Sequence, residues 1–123
     1  MIISTPVSVG ELVDKISILH IKNINIKDVE KIKFIKAELA LLNQTLDKYV
    51  NRVDIQEYLD ALIEINSKLW VIEDDKRKCE KEKDFTNTFI KLSRDVHFLN
   101  DDRAKIKLEI NNYTGSKIKE IKE

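Results

Sequence analysis

The chain has 123 residues, 42% of them hydrophobic and 36% charged, with 2 Gly and 1 Pro. That length fits one domain spanning 1–123, and so much charge with so few turn residues points to long solvated helices rather than sheet or disorder. Lysine plus arginine and aspartate plus glutamate each number 22, so net charge is zero and the broad cationic footprint of general nucleic-acid binding is missing.

The opening MIISTPVSVG reads as an extended lead-in, with Pro6 holding Thr5 out of the helical region. It has neither the basic start nor the long apolar core of a secretory signal. Ser8 and Glu11 then form a capping box that opens a first helix over about 9–24. Its stripe is Val9, Leu12, Val13, Ile16 and Leu19, while Ile18 and Ile21 point elsewhere. Such a helix is expected to be central in a bundle or half of a subunit interface.

Asp28 can cap a second helix over about 29–50, whose Ile32, Ile35, Leu39, Leu42, Leu46 and Tyr49 form a coiled-coil-like seam. A box at Asp54 and Glu57 opens a third helix, about 55–80, with the stripe Tyr58, Leu62, Ile65, Leu69 and Ile72. That stripe turns polar at Lys76, Glu80 and Lys83, so the helix is expected to project past the core or fray there. The fourth helix, about 85–113, carries Phe85, Phe89, Leu92, Val96, Leu99, Arg103, Ile106 and Ile110, with Gly115 placed to terminate it. The fold class expected is all-α: an antiparallel bundle of about four helices with coiled-coil-like seams.

Arg103 interrupts an apolar seam, and it is one of only four arginines among the 22 cations. Lys107 follows at i+4, a repulsive spacing that an anion should offset. In antiparallel hairpins, facing residues have a roughly constant sum of numbers. That rule puts Glu11, Lys15, Glu38, Asn66 and Arg103 in one cross-section of the bundle. A buried guanidinium without a partner is costly, so Arg103 must be paired or wet. Two readings follow: a structural ion pair that fixes register, or an anion site with Arg103 as a carboxylate or phosphate clamp. An anion site predicts that Arg103→Met abolishes binding and spares the fold. A structural pair predicts that it unfolds the bundle.

On the third helix, Glu73 and Arg77 stand at i,i+4 and form a secondary polar cluster, with Trp70 beside the seam as an anchor. His20 falls on the apolar side of helix one and His97 beside the helix-four seam, both without metal-ligand spacing. Glu11 with Asp14 and Glu57 with Asp60 are acids at helix N-termini, where the dipole favours them. No metal site or cofactor is expected. The single Cys79 cannot form an internal disulfide and suits a reducing compartment, so a cytoplasmic protein is expected. No run approaches the ~20 apolar residues of a membrane span.

Three stretches, PVSVGELVDKISIL (6–19), LWVIEDDKRKCE (69–80) and LNDDRAKIKLEINNYTGS (99–116), with Ala37-Glu38-Leu39, resemble a family of short bacterial and phage proteins of unknown function. The resemblance covers nearly the whole chain. Members stand at times beside sugar-transfer and cell-surface glycan genes, which implies a role near carbohydrate metabolism. The polar positions it carries over are Glu11, Asp14, Lys15, Glu73, Asp74, Arg77, Glu80, Asn100, Asp101, Arg103 and Lys107.

Two function classes fit. One is a non-catalytic module that self-associates, as a homodimer, through Ile18 and Ile21 or the projecting end of helix three. The other is a small helical enzyme or binder for an anionic metabolite. The analogy is with bundles of the chorismate-mutase type, whose own sequence pattern is absent here, in which cations from several helices hold a dicarboxylate. Here those cations would be Lys15, Arg77, Arg103 and Lys107, with Glu73.

Overall fold

A computed structural model describes residues 1–121; the last two residues of the tail lie outside it. Four helices follow one another: α1 (Val9–Asn25), α2 (Val29–Tyr49), α3 (Arg52–Glu82) and α4 (Asn87–Thr114). Among the described residues there is no strand, and the architecture is an all-α bundle.

Local chemistry sets the helix ends. The Ser8 hydroxyl accepts from the Glu11 amide at 3.0 Å, and Asp28 accepts from the Lys31 amide at 3.0 Å. α3 starts three residues earlier than the Asp54–Glu57 box implies, because the Asn51 side chain caps it first, accepting from the Val53 amide at 3.2 Å. α3 continues to Glu82 and stops where Lys83 turns left-handed at φ 56°. Asp84 then accepts from both the amide and the hydroxyl of Thr86, a tight turn that leaves Phe85 outside α4. Gly115, at φ 69°, ends α4 as its position suggests.

The core is built from Val13 and Ile16 of α1, Leu46 of α2, Ile55, Leu59 and Leu62 of α3, and Ile110 of α4. α1 packs against all three other helices, and α3 packs against α4. α1 is therefore the central helix, which accounts for its second apolar group from within. Ile21 is 3% exposed and Ile18 half-buried, so neither offers a free subunit interface.

Contacts at Asp14 fix the register: α1 runs antiparallel to α4, meeting Arg103 there, and parallel to α3, meeting Asn66. With 17 residues against the 31 of α3 and 28 of α4, α1 stops near the level of Arg77 and Leu92. Beyond that level α3 and α4 continue as a two-helix arm. Phe85 and Phe89 stack edge-on near its tip, and Lys76 lies over the Phe89 ring.

Candidate functional site

The site is centred on Asp14, whose side chain is 1% exposed. Arg103 meets it as a fork, with Nε donating to Oδ1 at 2.9 Å and Nη2 to Oδ2. Asn66 Nδ2 donates to the same Oδ1 at 2.9 Å and to the Ser17 hydroxyl at 2.7 Å. The Ser17 hydroxyl donates to the Asp14 backbone carbonyl at 2.6 Å. One carboxylate thus ties α1 to α3 and α4. A buried charge is tolerable only when so fully answered.

One turn along α4 stands Lys107, itself buried. Its Nζ donates to Glu11 Oε2 and reaches Glu120 Oε2, both at 2.7 Å, with Asp14 Oδ2 at 3.9 Å. Two cations here face three carboxylates, which offsets the i,i+4 repulsion between Arg103 and Lys107. The Lys107 hydrogen bond holds the Glu11 carboxyl below its ordinary range, against burial. For Lys107 burial pushes down, but the bonds to Glu11 and Glu120 prevail and the net shift is upward. The Asp14 fork raises Arg103.

A pH dependence follows. A lowered folded pKa means that Glu11 contributes stability above its ordinary value of 4.5 and loses it as pH falls through the folded value. Glu11→Gln is therefore expected to flatten the fall in Tm between about pH 5 and pH 3. An acid limb identical to that of the wild type would show that the pair contributes nothing. The raised Lys107 works at the other extreme, losing its contribution as pH rises above 10.5 through its folded value.

α1 and α4 approach closely at Gly10. Its amide donates to Asn111 Oδ1 at 2.7 Å, the Val9 amide to the Ser116 hydroxyl at 3.3 Å, and the Ser8 hydroxyl to Glu120 at 3.4 Å. The first-turn amides of α1 are thus answered from α4 and the tail.

On the other side of the Asp14 layer a cleft of about 330 Å³ opens between α1, α3 and α4. Ile18, Ile21, Leu69 and Trp70 give it an apolar wall. Arg103, Asn66 and Asn100 line it as well, and Lys22, Glu73, Asp74 and Arg77 add charges at the end towards the arm. Arg77 pairs with Asp74 at 2.8 Å, at i,i+3, rather than with Glu73. Among the described residues Glu73 makes no ion pair.

Of the residues expected in one layer, Glu11, Asn66, Arg103 and Lys107 meet around Asp14. Lys15 and Glu38 do not join them. They face each other at 3.6 Å on the surface, about half exposed. The secondary cluster of Glu73 and Arg77 shares the cleft with Arg103. The residues that sequence reasoning did not place in the layer are Asp14, Ser17, Asn111 and Glu120. For Asp14 and Ser17 a signal existed, since with Ile21 they stand at i, i+3 and i+7 on one helix face. Glu120 arrives from the tail, which carries no such periodicity.

His20 is exposed rather than on the apolar side, and His97 is exposed with Asp101 at 3.6 Å. Among the described residues no group of three or more His, Cys, Asp or Glu is placed to hold a metal. Cys79 is buried, and burial with the nearby carboxylates Asp84, Glu82 and Asp75 pushes its thiol pKa up, away from a reactive thiolate.

The model of the family described as "Family of unknown function (DUF6165)" matches residues 3–123. The chain belongs to this family. No curated protein matches it, and no solved structure does. In this DUF6165 chain the three motif stretches are the first two-thirds of α1, the second half of α3 and the last half of α4. They supply Asp14, Arg103 and Lys107 of the layer and most of the cleft lining, while Asn66, Ile21 and Lys22 lie outside them. No helix among the described residues of the DUF6165 chain is long and apolar enough to cross a membrane.

Proposed function

We propose that the protein is a non-catalytic helical module that receives a small polar ligand in the cleft between α1, α3 and α4. One observation carries this reading. Arg103 borders the cleft with Nε and Nη2 committed to Asp14, so its remaining Nη1 is held in a fixed direction and has no partner among the described residues. A guanidinium pinned from behind loses little freedom when it binds an anionic group. The four-cation clamp of the enzyme reading has less support. Lys15 lies on the surface with Glu38, and Lys107 is spent on Glu11 and Glu120.

The test is calorimetric titration with small organic carboxylates, on the wild type and on Asn100→Ala. Asn100 lines the cleft and makes no hydrogen bond among the described residues, so its loss should leave the unliganded Tm nearly unchanged. The expected result is saturable binding that the variant weakens by about tenfold. Binding that Asn100→Ala does not touch would place the ligand elsewhere, and a wild type that takes up no carboxylate would overturn the reading.

A second reading, self-association, rests on the outer face of α4, and we assign that face to a second copy of the chain. Phe98 is 52% exposed and forms a ridge between two apolar grooves, one bounded by Val71 and Leu99, the other by Phe89 and Ile90. A two-fold contact needs ridge and groove on one patch. Ile90 and Phe98 stand four residues either side of Arg94, so an antiparallel pairing of α4 with its copy seats each ridge beside the other's Ile90. The same register sets Arg94 against its own copy on the two-fold axis, with the neighbouring Asp95 of each chain offsetting that repulsion. Light scattering at tens of micromolar is expected to give a dimer, and Phe98→Asp a monomer; a monomeric wild type would sink this reading. A cytoplasmic location belongs to the same proposal and is supported by the unpaired Cys79.

A further inference from the structure

The charges and hydrogen-bonding groups around the cleft select among ligand classes. Arg103 is matched by Asp14 and Arg77 by Asp74. What remains is one group of each sign, Lys22 and Glu73, neither in an ion pair among the described residues. A dianion needs two unmatched cations and finds one. A cation finds Glu73 alone. A neutral ligand would remove water from both charges and answer neither.

Asp14 also fixes which polar atoms face the ligand. A carboxylate only accepts, so Asn66 must turn its Nδ2 to Asp14. The Ser17 hydroxyl, already donating to the Asp14 backbone carbonyl, accepts from the same Nδ2. Asn66 Oδ1 accepts no hydrogen bond among the described residues, and Asn66 lines the cleft, so this oxygen is the acceptor it has to offer there. Beside it Arg103 offers Nη1 as a donor. A donor and an acceptor of settled identity therefore come from two residues that bond the same Asp14 oxygen and line the same cleft.

Helix direction brings the other two polar groups to them. Side chains on a helix lean towards its N-terminus. Glu73 on α3 thus leans back towards Asn66, and Arg103 on α4, which runs the other way, leans towards Asn100. Glu73, Arg103, Leu69 and Trp70 all line the same cleft.

We infer that the ligand of this cleft is a small zwitterion of the α-amino-acid type, its carboxylate hydrogen-bonded by Arg103 and Asn100 with Lys22 supplying the unmatched positive charge, and its ammonium on Asn66 Oδ1 and Glu73. Its side chain lies on the apolar wall of Ile18, Ile21, Leu69 and Trp70. The volume, about 330 Å³, sits at the small end of the roughly 300–1,000 Å³ of ligand pockets. The inference rests on the ligand-binding reading above and narrows it.

The test titrates the full chain at pH 7 with L-leucine and L-phenylalanine, with 3-phenylpropionate and phenethylamine, each lacking one of phenylalanine's two charges, and with inorganic phosphate. One or both amino acids should bind, and both single-charge analogues should be weaker than phenylalanine by about tenfold or more. Glu73→Gln should reduce phenylalanine to the level of 3-phenylpropionate and leave 3-phenylpropionate unchanged. Because Glu73 is half-buried and unpaired, this variant is expected to keep the wild-type Tm. If 3-phenylpropionate matches phenylalanine in the wild type, the ligand is a simple anion; the zwitterion inference fails while the cleft reading stands. Tighter binding of phosphate overturns it in the same way. If no probe binds, both fail.

Discussion

Arg103→Met is expected to lower folding stability by about 3 kcal/mol, the lower end of the cost of breaking a buried ion pair. The substitution removes two hydrogen bonds from a carboxylate that is 1% exposed and leaves its charge to one Asn66 N–H and a Lys107 ammonium 3.9 Å away. The Arg103 side chain is itself 27% exposed and is held to the lower figure by solvent screening. Urea unfolding measures the effect, and a double-mutant cycle assigns it. Asp14→Asn combined with Arg103→Met removes the stranded charge and should recover more than half of the loss. Arg77→Met, which breaks a pair between exposed side chains, should stay within about 1 kcal/mol of the wild type. An Arg103→Met protein as stable as the Arg77→Met protein would mean that Asp14 is not buried as described. Between the two outcomes the sequence allowed for this substitution, loss of binding with the fold spared or unfolding, the geometry favours damage to the fold.

Gly10→Ala should be of similar size, with a different cause. A Cβ at Gly10 would intrude on the backbone carbonyl oxygen of Lys107 and stand 3.0 Å from Asn111 Oδ1. The first obstacle is backbone, so relief requires α1 and α4 to separate. That loosens the Gly10–Asn111 bond and strains the Glu11–Lys107 and Asp14–Arg103 pairs in the next turns. Alanine gains about 1 kcal/mol of helix propensity over glycine. Overpacking costs typically 1–3 kcal/mol and a buried hydrogen bond about 1 more. The expected net loss is about 2 kcal/mol. Gly115→Ala is the comparison, since it meets open space and is limited by its φ of 69° alone. A Gly10→Ala protein with a Tm equal to or above the wild type would show that the two helices are not in contact there.

Apolar periodicity made the four helices legible, because each buries one stripe whose spacing survives in the sequence. Their ends were less so. Asn51 and the Asp54–Glu57 box are both adequate caps, and the chain uses the first it meets. Hairpin sums put Asn66 and Arg103 at one level, where both donate to Asp14 Oδ1, but such sums give height along the bundle and not direction around each helix. Lys15 and Glu38 stand near that height and point outward, whereas Asp14, on the inner face, takes Arg103. The same blindness to direction favoured Glu73 over Asp74 as the partner of Arg77, since i,i+3 and i,i+4 neighbours are both in reach. Gly10 gave no sign of its role: a close approach to a helix distant in sequence leaves no local pattern.

The arm formed where α3 and α4 outrun α1 implies graded protection of backbone amides. Next to Val13 and Ile110, exchange with solvent deuterium should require global unfolding, while amides near Lys83 and Asn87 should open through local excursions of the hairpin end. The cleft occupies the boundary between these regimes, with Arg103 on the firm side and Glu73 and Arg77 on the yielding one. A molecule bridging the two would slow exchange out along the arm, a footprint reaching well beyond the residues it touches.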